Sequence, residues 1–251
     1  MIIKNAAAAH IPALSRLWED NFGDTPEFIR GFFQTGFSPE RSMLAEENGT
    51  VLGSLYWFDC QWENRKIAYI YAVSTHKDHR GKGICRQLMD AAHAQLKEDG
   101  YAGSILVPAE ETLFRLYGKM GYIPCCPASA VTLDSTQPAA ELTALSPEEY
   151  WFMRLAFLPR NGIVQNSETL QFYATYGNFY QLQGSICAAA VHEGEAYIQE
   201  FFGKVEDLPR IGAALGCEKV HARLPGGENY AMYRSLTGET ALPGYLGIPL
   251  D

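Results

Sequence analysis

Residues 73–85, "VSTHKDHRGKGIC", place Arg80, Lys82, Gly81 and Gly83 between an apolar run and the helix-patterned "RQLMDAAHAQL". Glycines let a chain turn sharply and let a ligand approach the backbone closely. A helix that starts directly after such a turn contributes unpaired N–H groups and the positive end of its dipole. Two cationic side chains add full charge. The combination is a site for a phosphate or pyrophosphate. It is not a P-loop, because Lys82 lies between two glycines and no Ser or Thr follows. It is not a dinucleotide fingerprint either, because Arg86 stands where the third glycine would be.

The elements around the turn follow from patterning. Lys66–Ser74 is a near-continuous apolar run and reads as a central strand. The helix after the turn has Ile84, Leu88, Met89, Ala92 and Leu96 on one face and stops at Gly100. Upstream, Ile2–Lys4 reads as a short strand. A helix through about Phe22 carries Ile11, Leu14, Leu17 and Trp18, and a second covers Pro26–Phe33 with Asp24 or Thr25 as N-cap. Asn48-Gly49 between two apolar runs is a hairpin turn. Downstream come a strand at "AGSILVP", a short helix at "ETLFRLYGKMGY" and irregular strands from Pro124 to Leu133.

Beyond the Pro-, Ser- and Thr-rich stretch 133–149 the order of elements recurs. "EAYIQEFFG" stands beside "IAYIYAVST", and "CEKVHARLPGGENYAMYRSLTG" beside "YAGSILVPAEETLFRLYGKMG", so "GENYAMYRSLTG" is expected to be helical. The second copy has "KVEDLPRIG" where the first has its glycine turn.

The turn resembles the acyl-CoA signature of the GNAT superfamily of N-acyltransferases, [RQ]-x-x-G-x-[GA], as Arg80-Gly81-Lys82-Gly83-Ile84-Cys85. "LFRLYGKMGY", about thirty residues on, is similar to that family's late helix, and the element order matches over residues 1 to about 134. The resemblance implies an α+β (mixed α/β) fold: a central, mostly antiparallel twisted sheet flanked by helices, with a second, similar, smaller domain. The expected partition is residues 1–134 for the GNAT domain, 135–149 for a linker and 150–251 for a degenerate GNAT-like domain contributing to the acceptor site.

The resemblance further implies acetyl-CoA as cosubstrate. Backbone groups of Ala72, Val73 and Ser74 would pair with the pantetheine arm, and the Arg80, Gly81, Lys82, Gly83, Ile84 and Cys85 turn would hold the pyrophosphate. Tyr117 would protonate the departing thiolate. The acceptor is expected to be a small-molecule or peptide amine, attacked directly and without a metal. The alternative is a non-catalytic acyl-CoA-binding sensor or regulatory module; a further one keeps the fold and binds no CoA.

Three positions depart from the family pattern. Cys85 replaces a Gly or Ala, Glu110 stands where an Asn often begins the late helix, and "IAYIYAVS" has no carboxylate to act as general base. The base is therefore open among Glu46, Glu47, Glu63, Glu111, Glu200, the Asp251 terminal carboxylate and water. Tyr69 and Tyr71 are candidates for the acceptor pocket or ordinary strand residues. His76 and His79 flank the turn, where exposed histidines are usually solvated.

Composition narrows the class. Hydrophobic residues make up 47% and charged residues 20% of the 251-residue chain, which describes a folded globular protein. The net charge is −9, with 13 Lys and Arg against 16 Asp and Glu in residues 1–134 and 7 against 13 in 135–251. That balance argues against nucleic acid as a partner. No apolar run approaches the ~20 residues of a membrane span, and the first 22 residues, broken by His10 and Pro12, do not read as a secretory leader. The six cysteines form no C-x-x-C pair, so reduced thiols and a cytoplasmic location are expected.

Overall fold

The computed structural model describes residues 1–250. In chain order the elements are β1 (Ile2–Lys4), α1 (Ile11–Phe22), α2 (Pro26–Thr35), β2 (Ser42–Glu47), β3 (Thr50–Trp62), β4 (Arg65–Thr75), α3 (Ile84–Glu98), β5 (Gly103–Leu106), α4 (Glu111–Gly118) and β6 (Ile123–Cys125). Then follow β7 (Ala128–Asp134), β8 (Thr143–Leu145), α5 (Pro147–Arg154), β9 (Val164–Gln165), α6 (Ser167–Tyr173), β10 (Asn178–Leu182), β11 (Ser185–His192), β12 (Glu195–Phe202), α7 (Leu208–Ala214), β13 (Lys219–Pro225) and β14 (Ala231–Ser235).

Local chemistry sets most of these boundaries. The Thr25 side chain accepts the Phe28 amide at 3.2 Å and Pro26 occupies the first turn, so α2 starts there. Gly23 takes the left-handed conformation that ends α1. Asn48 and Gly49 both have positive φ, 51° and 78°, as a two-residue hairpin between β2 and β3 requires.

The chain forms two compact units, each discontinuous: residues 1–123 with 232–242, and residues 124–231 with 243–251. This differs from the expected division into 1–134, a linker and 150–251. Residues 128–134 are a strand of the second unit, and the expected linker holds β8 and the Ser146 cap of α5.

The sheet of the first unit runs β1-β2-β3-β4-β5-β14-β6. From β1 to β14 the pairings are antiparallel except β4 with β5. The core between sheet and α3 contains Leu55, Trp57, Ala68, Ile70, Leu88, Met89, Leu96 and Tyr117. All five apolar positions expected on the inner face of α3 are buried.

Residues 231–235 are a strand, not the expected helix. Met232 pairs with Leu106 and Ser235 with Gly103, so this segment covers the edge of β5. The physical reason is long-range. Without it β5 would expose a row of unpaired backbone groups, and Tyr233 fills a slot against Trp62, ring centroids 5.4 Å apart. Gly103 permits that approach, because a Cβ there would collide with the Tyr233 ring.

The second unit repeats the plan in the order β7-β13-β12-β11-β10-β8. Only β12 and β13 are parallel, as β4 and β5 are in the first unit, which bears out the sequence correspondence of those strands. Next to the parallel pair lies β7 here and β14 there, each a segment from a distant part of the chain. Tyr233→Ala is expected to destabilise the full-length chain by about 3 kcal/mol in denaturant unfolding, the usual cost of truncating a buried aromatic. A loss below roughly 1 kcal/mol would show that β14 does not stabilise the sheet.

Candidate active site

The site lies in the first unit, at the point where the sheet stops being a sheet. Pairing of β4 with β5 covers only Ile67↔Gly103, Ala68↔Ser104 and Tyr69↔Ile105. On its other side β4 continues along β3 to Thr75, but with a slip. Ser54 faces Ser74 while Tyr56 faces Tyr71, so Leu55 stands opposite two residues, Ala72 and Val73. That is a β-bulge, and Ala72 at its centre has φ 47°, a conformation that L-residues adopt only under constraint. Bulges re-aim backbone groups and bend strands. Here the bulge coincides with the divergence of β4 from β5, which leaves the edge of Ala72–Ser74 without a neighbouring strand. Ser74 itself is buried and shares a 3.0 Å hydroxyl contact with Ser54, which holds the strand past the bulge.

From Thr75 the chain passes through a single 3₁₀ turn, Lys77–His79, into the glycine loop. His76 accepts the Asp78 amide through Nδ1 at 3.3 Å, and its ring lies 5.5 Å from that of His79. These histidines shape the turn. Gly81 and Gly83 have φ 75° and 80°, and a side chain at Gly81 would meet nothing within 4 Å. The glycines thus serve backbone conformation and leave the loop open. The first helical bond of α3 runs from the Gln87 amide to the Gly83 carbonyl at 3.0 Å. Among the described residues no backbone carbonyl accepts from the amides of Gly81 to Arg86, no side chain caps the helix, and its first turn has no acidic residue. A run of six amides with no intramolecular acceptor is what an anion needs.

The two cations of the loop have different positions. Arg80 is turned back: Nε donates to the Thr75 carbonyl at 3.3 Å and Nη2 to Asn21 Oδ1 at 2.8 Å. It fastens the loop to the end of β4 and to α1. Lys82 is exposed, its Nζ 3.1 Å from the Asp78 carbonyl. Cys85, in the first turn of α3, is half-buried, and burial pushes its thiol up from the ordinary value.

Tyr117 lies on the last turn of α4, with 7% of its surface exposed. Its ring packs into the core beside Leu106 and Leu88 and stands 5.8 Å from that of Tyr122. Its hydroxyl has no hydrogen-bond partner among the described residues, yet it is not among the polar atoms sealed from solvent. Burial first, then the nearby Cys85 and Tyr122, holds its proton well above the ordinary range. Cys85 packs against the same core cluster that contains Tyr117. Glu110, at the N-cap of the same helix, bonds the Thr112 hydroxyl and caps no amide.

The carboxylates considered as bases lie elsewhere or are engaged. Glu46 pairs with Lys4 at 2.5 Å, Glu47 with the N-terminal amine at 3.0 Å and Glu63 with Arg65 at 2.5 Å. Glu47 is held below the usual carboxylate range mainly by that amine. Glu111 is exposed in the first turn of α4. Glu200, in the second unit, is 1% exposed. It receives Arg154 Nε at 2.6 Å and Nη2 at 2.9 Å, with the hydroxyls of Tyr150 at 3.0 Å and Tyr245 at 3.2 Å. The Asp251 carboxylate lies outside the described residues. Tyr69 is buried. Tyr71 is half-buried against Trp18, Phe32 and Phe58, with centroids 5.5, 5.8 and 5.9 Å away. Among the described residues no three His, Cys, Asp or Glu side chains gather to hold a metal ion.

One cluster was not foreseen from the sequence. Behind Tyr117, the buried His93 of α3 has Nε2 2.9 Å from the Tyr122 hydroxyl and 3.1 Å from Ser104 Oγ, and its Nδ1 lies 2.9 Å from Arg234 Nη1. A histidine within an apolar helix face carries no motif, and its partners come from β5, β14 and the turn before β6.

Residues 2–125 match the family model described as acetyltransferase (GNAT) domain. These residues are a GNAT domain. Solved structures extend the likeness over the whole chain. A GCN5-related N-acetyltransferase from Kribbella flavida superposes with a TM-score of 0.67 at 15% identity, over 94% of this chain and 71% of that one. One from Anabaena variabilis gives 0.68 at 17%, covering 94% and 72%. A tandem GNAT protein from the clavulanic acid biosynthesis pathway gives 0.61 at 11%, covering 96% and 99%. At these identities the likeness is one of fold, and it includes the tandem arrangement of two GNAT-like halves. No curated protein sequence matches the chain. Among the described residues no helix is long and apolar enough to cross a membrane.

The His93 environment has a measurable consequence. Burial, and secondarily the Arg234 charge, depress its pKa to about 3 from 6.5. The unfolded chain therefore binds a proton that the folded chain refuses. The stability this group contributes is complete above pH ~6.5 and is lost as pH falls from there toward 3. Unfolding free energy should fall across that window, with a slope from His93 of at most about 1.4 kcal/mol per pH unit. His93→Gln should remove that component; an unaltered slope in the variant would contradict it.

Proposed function

We propose that the GNAT domain transfers an acyl group, acetyl by default, from acetyl-CoA to the amine of a small molecule or peptide. The observation that carries this reading is the conjunction in one unit of a bulged, unpaired strand edge, an open run of amides and an unbonded phenol. An amide-bearing pantetheine arm would pair with Ala72–Ser74 as an added strand would. The Gly81–Cys85 amides, with Lys82 at the rim, suit the pyrophosphate. Arg80 keeps the loop in shape for that task.

The neutral amine attacks the thioester carbonyl, a nitrogen–carbon bond forms and the carbon–sulfur bond breaks. A backbone N–H of the bulged strand stabilises the developing oxyanion. Tyr117, which keeps its proton at neutral pH, donates it to the departing thiolate. The proton released by the amine leaves to water or to one of the carboxylates named above. Cys85 is a poor nucleophile because its thiol stays protonated, which favours direct transfer over an acyl-cysteine intermediate. The free cysteines fit a reducing compartment such as the cytoplasm.

A second reading, a sensor that binds acyl-CoA without transferring the group, is favoured by the absence of any carboxylate from Lys66–Ser74. Turnover separates the two. Incubation with acetyl-CoA and a broad panel of amines should release free CoA, and Tyr117→Phe should lower kcat by about 10²-fold or more, with acetyl-CoA affinity changed less than about two-fold. Tight binding with no CoA released for any amine would favour the sensor. Release by the Phe variant at the wild-type rate would remove Tyr117 from the mechanism.

A further inference from the structure

The strand that pairs with β5 in the first unit also delivers a charge. Arg234 lies on β14, 141 residues from His93 in sequence, and its Nη1 is 2.9 Å from His93 Nδ1. A guanidinium can only donate, so Nδ1 must be the acceptor and carries no hydrogen. The imidazole proton is then on Nε2, which faces the Tyr122 hydroxyl at 2.9 Å and Ser104 Oγ at 3.1 Å. Tyr122 and Ser104 are themselves 2.6 Å apart. Arg234 donates to His93, and the Nε2–H of His93 donates into the Tyr122–Ser104 hydroxyl pair, with the Tyr122 oxygen the nearer acceptor. His93, Ser104 and Tyr122 are all buried, and the Tyr122 ring meets the Tyr117 ring edge-on at 5.8 Å.

We propose that Arg234 is a positioning residue for Tyr117: it fixes the tautomer of His93, which fixes the Tyr122 hydroxyl and with it the seat of the Tyr117 ring. The proposal rests on the acyl-transfer reading given above. Residues 1–123 supply Tyr117, Tyr122, His93 and Ser104, but the group that orders them arrives from the last quarter of the chain.

The alternative states of the cluster show why the guanidinium matters. Without it, Nδ1 is a buried acceptor with no donor, a costly arrangement. Protonation of the ring relieves that cost and places an imidazolium beside Tyr122, with Tyr117 and Cys85 next to it. The groups facing His93 are Arg234 on the Nδ1 side and Tyr122 and Ser104 on the Nε2 side. On its own helix Asp90 and Lys97 are exposed, and Arg86 is turned to the Lys119 carbonyl at 3.2 Å. No anion faces the ring to hold an imidazolium in place, so the charged state would disturb the two phenols. Burial and the Arg234 charge both act against that protonation, in that order of size.

The test compares wild type with Arg234→Met, Arg234→Lys and Arg234→Met/His93→Gln, each full length. Two readouts are followed from about pH 5 to 8: steady-state kinetics and the ring ¹⁵N shifts of His93. Wild-type His93 should remain the Nε2–H tautomer throughout this range. In Arg234→Met it should titrate, kcat should fall roughly ten-fold at the acid end, and the profile should gain an acid limb with KM for acetyl-CoA within about two-fold. The Lys variant should restore the wild-type profile at neutral pH, and adding His93→Gln should abolish the limb. The Lys variant also carries the test if the Met variant fails to fold: acid-end loss with a free Nδ1 supports the role, and wild-type behaviour at every pH with a free Nδ1 overturns it. A wild-type His93 that titrates near its ordinary pKa overturns the proposal, as does an Arg234→Met profile parallel to wild type. A wild type that shows the expected tautomer but releases no CoA overturns the transferase reading, and the functional role of Arg234 falls with it.

Discussion

The organisation of the first unit depends on one interruption. Three residue pairs join β4 to β5, and then a bulge at Ala72–Val73 turns β4 away. A continuous ladder would satisfy those backbone groups and leave nothing to bind. Because the ladder stops, polar backbone on β4 faces a gap at the same end of the strand where the glycine loop begins. The positive φ at Ala72 has a cost that the flanking Ser54–Ser74 pair and the paired length of β3 absorb. Sheet irregularity, loop and helix start are consequences of one another: the bulge aims the strand, the strand delivers Gly81–Gly83, and α3 begins where the glycines end.

The second unit repeats the plan without that turn. It keeps a parallel pair, β12–β13, in an otherwise antiparallel sheet, but "KVEDLPRIG" leads into α7 with no glycine turn of the kind found before α3. Its buried centre holds charge instead. Arg154 and Glu200 are fully desolvated together, with Tyr150 and Tyr245 completing the carboxylate's bonds. Such a pair is costly to form and more costly to break singly. Gln165 extends the network to the carbonyls of Gly247 and Ile248 and ties down the segment near the chain's end.

Much of this was legible from local pattern. The inner face of α3, the Asn48-Gly49 hairpin, the Thr25 cap and the glycine loop each follow from chemistry within a few residues. What could not be read was decided by partners far away in sequence. "YAMYRS" has apolar spacing that suits a helix as well as a strand, and only the open edge of β5 resolves it. The role of Arg80 as a tether needs Asn21, 59 residues earlier, and the signature alone suggests a phosphate contact instead. Nothing in the residues around His93 or Arg234 marks either one. Their meeting depends on β14 crossing back into the first unit. The compact units are discontinuous for the same reason, which no composition shift announces.

The central claim is that the strand edge at Ala72–Ser74 and the amides of Gly81–Cys85 form one acyl-CoA site in this chain. Calorimetric titration of the full-length protein with CoA, and in parallel with pantetheine lacking the nucleotide and its phosphates, tests it most directly. The account predicts a single site per chain with micromolar CoA affinity, weakened by at least about 100-fold, or some 3 kcal/mol, when the phosphates are absent. No heat of binding with CoA at millimolar concentration, or equal affinity for the two ligands, would contradict it.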